Sequence, residues 1–176
     1  MDSAEYERKT AARFASFDQD GNGYIDREDF SAAAAAILAE FDTTARCDKG
    51  QALYSGAEAF WQGMAGIADV DGDQRVTRGE FVRGAVKRLS DNPQRFAEIA
   101  RPFLRSAIEI AASADDEGDG LTVRSATRLL RVLGADEQVA ERVAAALDAD
   151  GDGRITEEET MNAFAVYYTL DGPDLR

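Results

Sequence analysis

The sequence predicts an all-α protein of four helix-loop-helix units in two pairs, with short two-stranded β contacts between paired loops. Three observations predict it. A twelve-residue acidic segment recurs three times, with a weaker fourth copy, and apolar residues flank every copy at helical spacing. Four such units also consume nearly all of the 176 residues, which leaves no room for a separate catalytic domain. The first pair is placed at residues 1–90, with loops 18–29 and 69–80, and the second at 91–176, with loops 115–126 (degenerate) and 148–159.

The three clear copies are DQDGNGYIDRED from Asp18, DVDGDQRVTRGE from Asp69 and DADGDGRITEEE from Asp148. Each carries acids or amides at loop positions 1, 3 and 5, a β-branched residue at position 8 (Ile25, Val76, Ile155) and an acid at position 12. The weaker copy, DDEGDGLTVRSA, begins at Asp115.

The helices follow from the apolar spacing. Phe14 and Phe17 lead into the first loop, and Phe30, Ile37, Leu38 and Phe41 lead out. Leu53, Phe60, Trp61, Met64 and Ile67 precede the second, and Phe81, Val82, Val86 and Leu89 follow it. Around the third stand Phe96, Ile99, Phe103, Leu104 and Ile108, then Leu129, Leu130 and Leu133; Val139, Val143, Leu147, Met161, Phe164 and Tyr167 flank the fourth. These positions are read as core. Asn92 before Pro93 marks a helix start and Gly134 a helix stop, while Pro102 should kink or divide the helix that enters the third unit. The polar stretch from Asp42 to Gly56 reads as a connection with room for some helix.

The loop chemistry points to a hard divalent cation. Calcium takes roughly 6 to 8 oxygen ligands at about 2.3–2.6 Å from a loop flexible enough to wrap it. Alternating acids supply three oxygens, the carbonyl of residue 7 a fourth, a side chain or water at position 9 a fifth, and a Glu at position 12 closes the shell with two more. Position 6 turns with positive φ and favours glycine. In the fourth unit the set is Asp148, Asp150, Asp152, the Arg154 carbonyl, Thr156 and Glu159, with Gly153 at the turn. The second offers Asp69, Asp71, Asp73, the Arg75 carbonyl, Thr77 and Glu80, but Gln74 stands where glycine is expected. In the first, Asp18, Asp20, Asn22, the Tyr24 carbonyl and Asp26 end in Asp29 instead of Glu. Aspartate is one methylene shorter, so bidentate closure fails or draws the outgoing helix inward, and fewer oxygens favour magnesium. Three calcium sites are therefore expected, the first tolerant of magnesium. The third loop has two registers, ending at Ala126 or, with Leu121 at position 8, at Ser125; neither supplies a closing carboxylate, and the loop is expected to bind no metal.

Composition narrows the function further. A net charge of −14 disfavours nucleic acid and anionic membranes as partners. With no histidine, the commonest general base and the usual zinc ligands are missing, so an enzyme is not expected. Cys47, the only cysteine, allows no intrachain disulfide. The opening residues lack the layout of a secretory signal, and the chain is read as cytoplasmic and monomeric, with no protein target identifiable.

These loops resemble EF-hands, and over almost its full length the chain is similar to calerythrin and the sarcoplasmic calcium-binding proteins. The resemblance implies two EF-hand pairs packed face to face in a compact body and a role as calcium buffer or transporter, with the metal positions those named above. Only Met64 and Met161 lie in the body, whereas sensor grooves lean on methionine, so a calcium buffer or store is expected ahead of a calcium sensor.

Overall fold

The protein is described here by a computed structural model, which covers residues 3–86, 91–115 and 120–168. Leu89, named above, lies outside these residues, as do Glu117 and Asp119 of the third loop and the side chains of Val86 and Tyr167.

Helix α1 (Ser3–Phe17) leads through the first acidic loop and strand β1 (Tyr24–Ile25) to α2 (Arg27–Glu40). Helix α3 (Asp48–Ala68), the second loop and β2 (Val76–Thr77) follow. A short α4 (Arg78–Glu80) then passes directly into a π-helical stretch, Phe81–Val86. The remaining elements are α5 (Pro93–Ser113), β3 (Leu121–Thr122), α6 (Val123–Val132), α7 (Glu137–Leu147), β4 (Arg154–Ile155) and α8 (Glu157–Tyr168). The fold is mostly helical, with two small antiparallel sheets, β1 with β2 and β3 with β4. In their registers Ile25 lies opposite Val76 and Leu121 opposite Ile155, all four buried, so the position-8 residues meet between loops. No helix among the described residues is long and apolar enough to cross a membrane.

The structure sharpens two points of the sequence reading. Helix α3 begins at Asp48, capped by Cys47, whose sulfur accepts from the Gly50 N–H, so the helix allowed within the Asp42–Gly56 connection takes up its later part. Its glycines allow close packing, because a Cβ on Gly56 would stand 2.8 Å from the Phe103 backbone. The same contact bears on Pro102, which α5 carries without division. Proline removes one backbone donor, and tight packing against α3 at that turn holds the helix together across the missing bond. As expected, Asn92 caps α5 and Gly134, at φ 95°, follows the end of α6.

The core centres on Phe60 of α3. Its ring lies 5.0 Å from Phe30, 5.7 Å from Phe17, and 6.1 Å from each of Phe96, Phe103 and Phe164, mostly edge to face. Such pairs add about 0.5–1.5 kcal/mol each beyond their buried area. Phe60 therefore ties helices from both halves of the chain into one apolar cluster, and Trp61 and Met64 are buried beside it.

Candidate metal centres

Each acidic loop connects two helices anchored in that core, and its shape is set by carboxylates bonding backbone N–H groups. In the first, Asp18 Oδ2 accepts from Gly23 at 3.0 Å, Asp20 Oδ1 from Asn22 at 3.0 Å, and Asn22 Oδ1 from Tyr24 at 2.9 Å. Asp29 closes the loop: Oδ1 accepts from Gln19 and Oδ2 from Asp26, both at 2.8 Å. The same residue serves as the third position of a capping box on α2 whose N-cap is Asp26.

The second and fourth loops repeat the scheme with glutamate. Glu80 accepts from Val70 at 3.1 Å and Thr77 at 2.9 Å; Glu159 accepts from Ala149 at 3.0 Å and Thr156 at 2.8 Å. Asp69 Oδ2 takes the Gln74 N–H and Asp148 Oδ2 the Gly153 N–H, each at 3.0 Å. Asp73 and Asp152 bond the N–H groups of Arg75 and Arg154.

Three groups of carboxylates converge in this way, with ligand atoms within 4.8 Å of one another: Asp18, Asp20 and Asp29; Asp69, Asp71 and Asp73; Asp148, Asp150 and Glu159. Asp18 Oδ1 and Asp148 Oδ1 are buried and have no hydrogen-bond partner. A buried carboxylate oxygen without a donor is costly unless a cation meets it, so the first and fourth loops fit a bound metal ion. Asp26, Glu80 and Asp152 fall outside these groups. The hydroxyls of Thr77 and Thr156 donate to Glu80 and Glu159 at 2.7 and 2.8 Å. The Tyr24, Arg75 and Arg154 positions lie at or beside the paired strands, and the Arg75 guanidinium stacks 5.3 Å from the Tyr24 ring, across the first sheet.

Positive φ occurs where the loops turn. Position 6 has it at Gly23 (90°), Gly153 (83°) and also Gln74 (66°), so the second loop keeps the turn at a strained residue. Position 4 has it as well, at Gly21, Gly72 and Gly151. That second requirement is absent from the sequence reading, although the glycine recurs in all three segments.

The third loop resolves its register. Because Leu121 pairs with Ile155, it occupies position 8, and position 12 is Ser125. The Ser125 hydroxyl donates to Asp115 Oδ1 at 2.7 Å, and the Thr122 N–H donates to Asp115 Oδ2 at 3.2 Å. Here the closing carboxylate sits at the start of the loop instead of its end.

The closing acids differ in acidity. Burial pushes the Asp29 carboxyl up, against the pull of its backbone bonds. The Thr156 N–H and hydroxyl hold Glu159 below the ordinary carboxylate range, and the Thr77 groups do the same for Glu80. For Asp115, burial works upward but is outweighed by the Ser125 and Thr122 bonds, and its carboxyl lies low.

A family model described as EF hand matches residues 11–33 and 145–165. A comparison with curated proteins gives no significant match. Among solved structures, a Streptomyces coelicolor calcium-binding protein is 62% identical, with 94% of this chain and 98% of that one covered and a TM-score of 0.89. Calcium-loaded apo-aequorin from Aequorea victoria superposes with a TM-score of 0.71 at 16% identity, covering 97% of this chain and 94% of its own. The calcium-loaded apo form of a coelenterazine-binding protein from Renilla muelleri gives 0.70 at 18%, over 99% and 96%. The last two likenesses concern the fold.

Three outcomes are expected. Replacing Gln74 by glycine relieves about 1 kcal/mol of left-handed strain and tightens metal binding at the second loop about three- to tenfold, read by calorimetry. A carboxylate is protonated as pH falls through its own pKa, so in the metal-free protein Asp29 should titrate above the ordinary aspartate range and Glu159 below the ordinary glutamate range, each followed by its carboxyl NMR signal. Ser125→Ala removes a charge-assisted hydrogen bond on a half-exposed acid, lowers stability by about 1 kcal/mol and lets the Asp115 carboxyl rise, seen in melting and in the same NMR titration.

Proposed function

The chain belongs to the EF-hand family, and from that premise we propose that it binds three calcium ions and serves as a calcium buffer or store. The observation that carries this reading is the pair of buried, partnerless oxygens, Asp18 Oδ1 and Asp148 Oδ1, each set among converging acids. The calcium chemistry of the 62%-identical Streptomyces relative supports it.

In this reading four units form two pairs, residues 1–90 and 91–176, and the third loop holds no ion. The first site uses Asp18, Asp20, Asn22, the Tyr24 carbonyl, Asp26 and Asp29. The second uses Asp69, Asp71, Asp73, the Arg75 carbonyl and Glu80; the fourth uses Asp148, Asp150, Asp152, the Arg154 carbonyl and Glu159. Thr77 and Thr156 bond their closing glutamates, and they reach the ion through a water at position 9. Bound metal supplies positive charge that offsets the mutual repulsion of the clustered acids. The short Asp29 makes the first site the one open to magnesium.

The buffer role rests on burial: Met64 and Met161, the methionines of the body, are 0% and 3% exposed, so no methionine-rich groove faces solvent. The second reading, a calcium sensor, draws on the relative's description in terms of calcium-mediated regulation.

Calorimetric titration of the metal-free protein is expected to count three calcium ions, with magnesium competing at one. Glu159→Gln should lower the count to two and leave the other sites unchanged. A fourth ion would refute the empty third loop. Small-angle scattering separates the roles: a marked opening when calcium replaces magnesium would reject the buffer.

A further inference from the structure

The third loop lacks a closing acid, yet its sequence from Asp115 to Asp119 carries four acids in five residues. Charges of one sign this close repel unless a cation lies among them. In the other three loops, in the proposed reading, that cation is the metal. The third loop meets a different one. The Arg154 guanidinium, from the fourth loop, donates through Nη1 to the Gly120 carbonyl at 3.4 Å. It also faces Asp115: burial raises that carboxyl, the Ser125 and Thr122 bonds lower it, and the Arg154 charge adds to the lowering. With Leu121 at position 8, Gly120 is position 7. Arg154 thus acts on the leading carboxylate and the carbonyl that face the ion in a loaded loop.

We propose that Arg154 keeps the third loop free of metal: its side chain gives that loop a fixed cation from across the sheet, while its own carbonyl serves the ion of the fourth loop. This rests on the reading in which the third loop is empty, and it adds an occupant to the missing acid at Ser125.

The residue at position 7 of the partner loop explains why one arginine does this and its counterpart does not. Arg75 holds position 7 of the second loop, and position 7 of the first is Tyr24. The Arg75 guanidinium lies over the Tyr24 ring, 5.3 Å from its centre, so an aromatic face takes up the charge and the carbonyl behind it stays open to an ion. Gly120 offers no such face. A Cβ there would stand 3.6 Å from the Arg154 Cβ, and the φ of 104° strains any side chain. The guanidinium therefore reaches bare backbone. Arginine keeps its proton in proteins, so the charge is permanent. A divalent ion entering the third loop meets a positive charge already seated on its ligands.

The test uses the calcium-loaded full chain, because a change of side chain at residue 154 leaves the position-7 carbonyl in place. Arg154→Met removes the charge and keeps an apolar stem; Arg154→Lys keeps the charge. Amide hydrogen exchange at Leu121 and at Thr122, whose N–H bonds Asp115, should quicken about tenfold in the methionine variant and less than about threefold in the lysine variant. Unchanged protection in Arg154→Met would overturn the proposal, as would equal loss in both variants, which assigns the effect to shape instead of charge. A second arm restores the closing acid with Ser125→Glu and counts ions by calorimetry. The single variant should still take three calcium ions, and Ser125→Glu combined with Arg154→Met should take four. Four ions in the single variant, or three in the double, would overturn the proposal. Four in the unaltered protein would instead refute the empty third loop on which it rests.

Discussion

Everything in the acidic loops depends on one carboxylate that closes a ring of backbone. In the first, second and fourth loops the acid at position 12 binds the N–H of position 2 with one oxygen and that of position 9 with the other. This grip fixes where the outgoing helix starts relative to the incoming one, and it orients the remaining acids toward a common point. Aspartate at position 29 keeps both bonds despite its shorter arm. Asp29 is 3% and Glu80 7% exposed, whereas Glu159 stays partly open, and burial pushes the Asp29 carboxyl above the ordinary aspartate range.

The grip is useful because the helices it joins are held at their far ends by the phenylalanine cluster around Phe60. Rings from α1, α2, α3, α5 and α8 converge there, so a change in loop shape is resisted by packing shared between both halves. Van der Waals contact in such a cluster is stiff on the scale of an ångström. An apolar pocket opens at the edge of this same cluster, and the Asp29 side chain forms part of its wall.

Much of this was readable in the sequence, since periodicity and ligand spacing are local properties. The three acidic segments, the paired position-8 residues and most core positions could be named from spacing alone. What resisted reading was set by longer-range contacts. The connection after α2 shrank because helix packing through Gly56 extends α3 toward its N-terminus, and α5 runs through Pro102 for the same reason. The register of the third loop was open until Leu121 met Ile155 on another strand. The π-helical stretch after Glu80 has no residue signature, although it coincides with a backbone approach in which a Cβ on Gly84 would stand 2.6 Å from the Ile67 carbonyl oxygen.

The reversed closure of the third loop has a consequence for its neighbour. Asp115 and Ser125 hold β3 in place with protein atoms alone, so the strand that β4 pairs with is ordered whether or not an ion is present. Fixing the backbone of a residue costs about 1–2 kcal/mol in conformational entropy. The Asp115–Ser125 bond meets part of that cost for β3 with side chains alone, so the fourth loop, in the proposed reading, takes its ion beside a strand that the third loop holds without one.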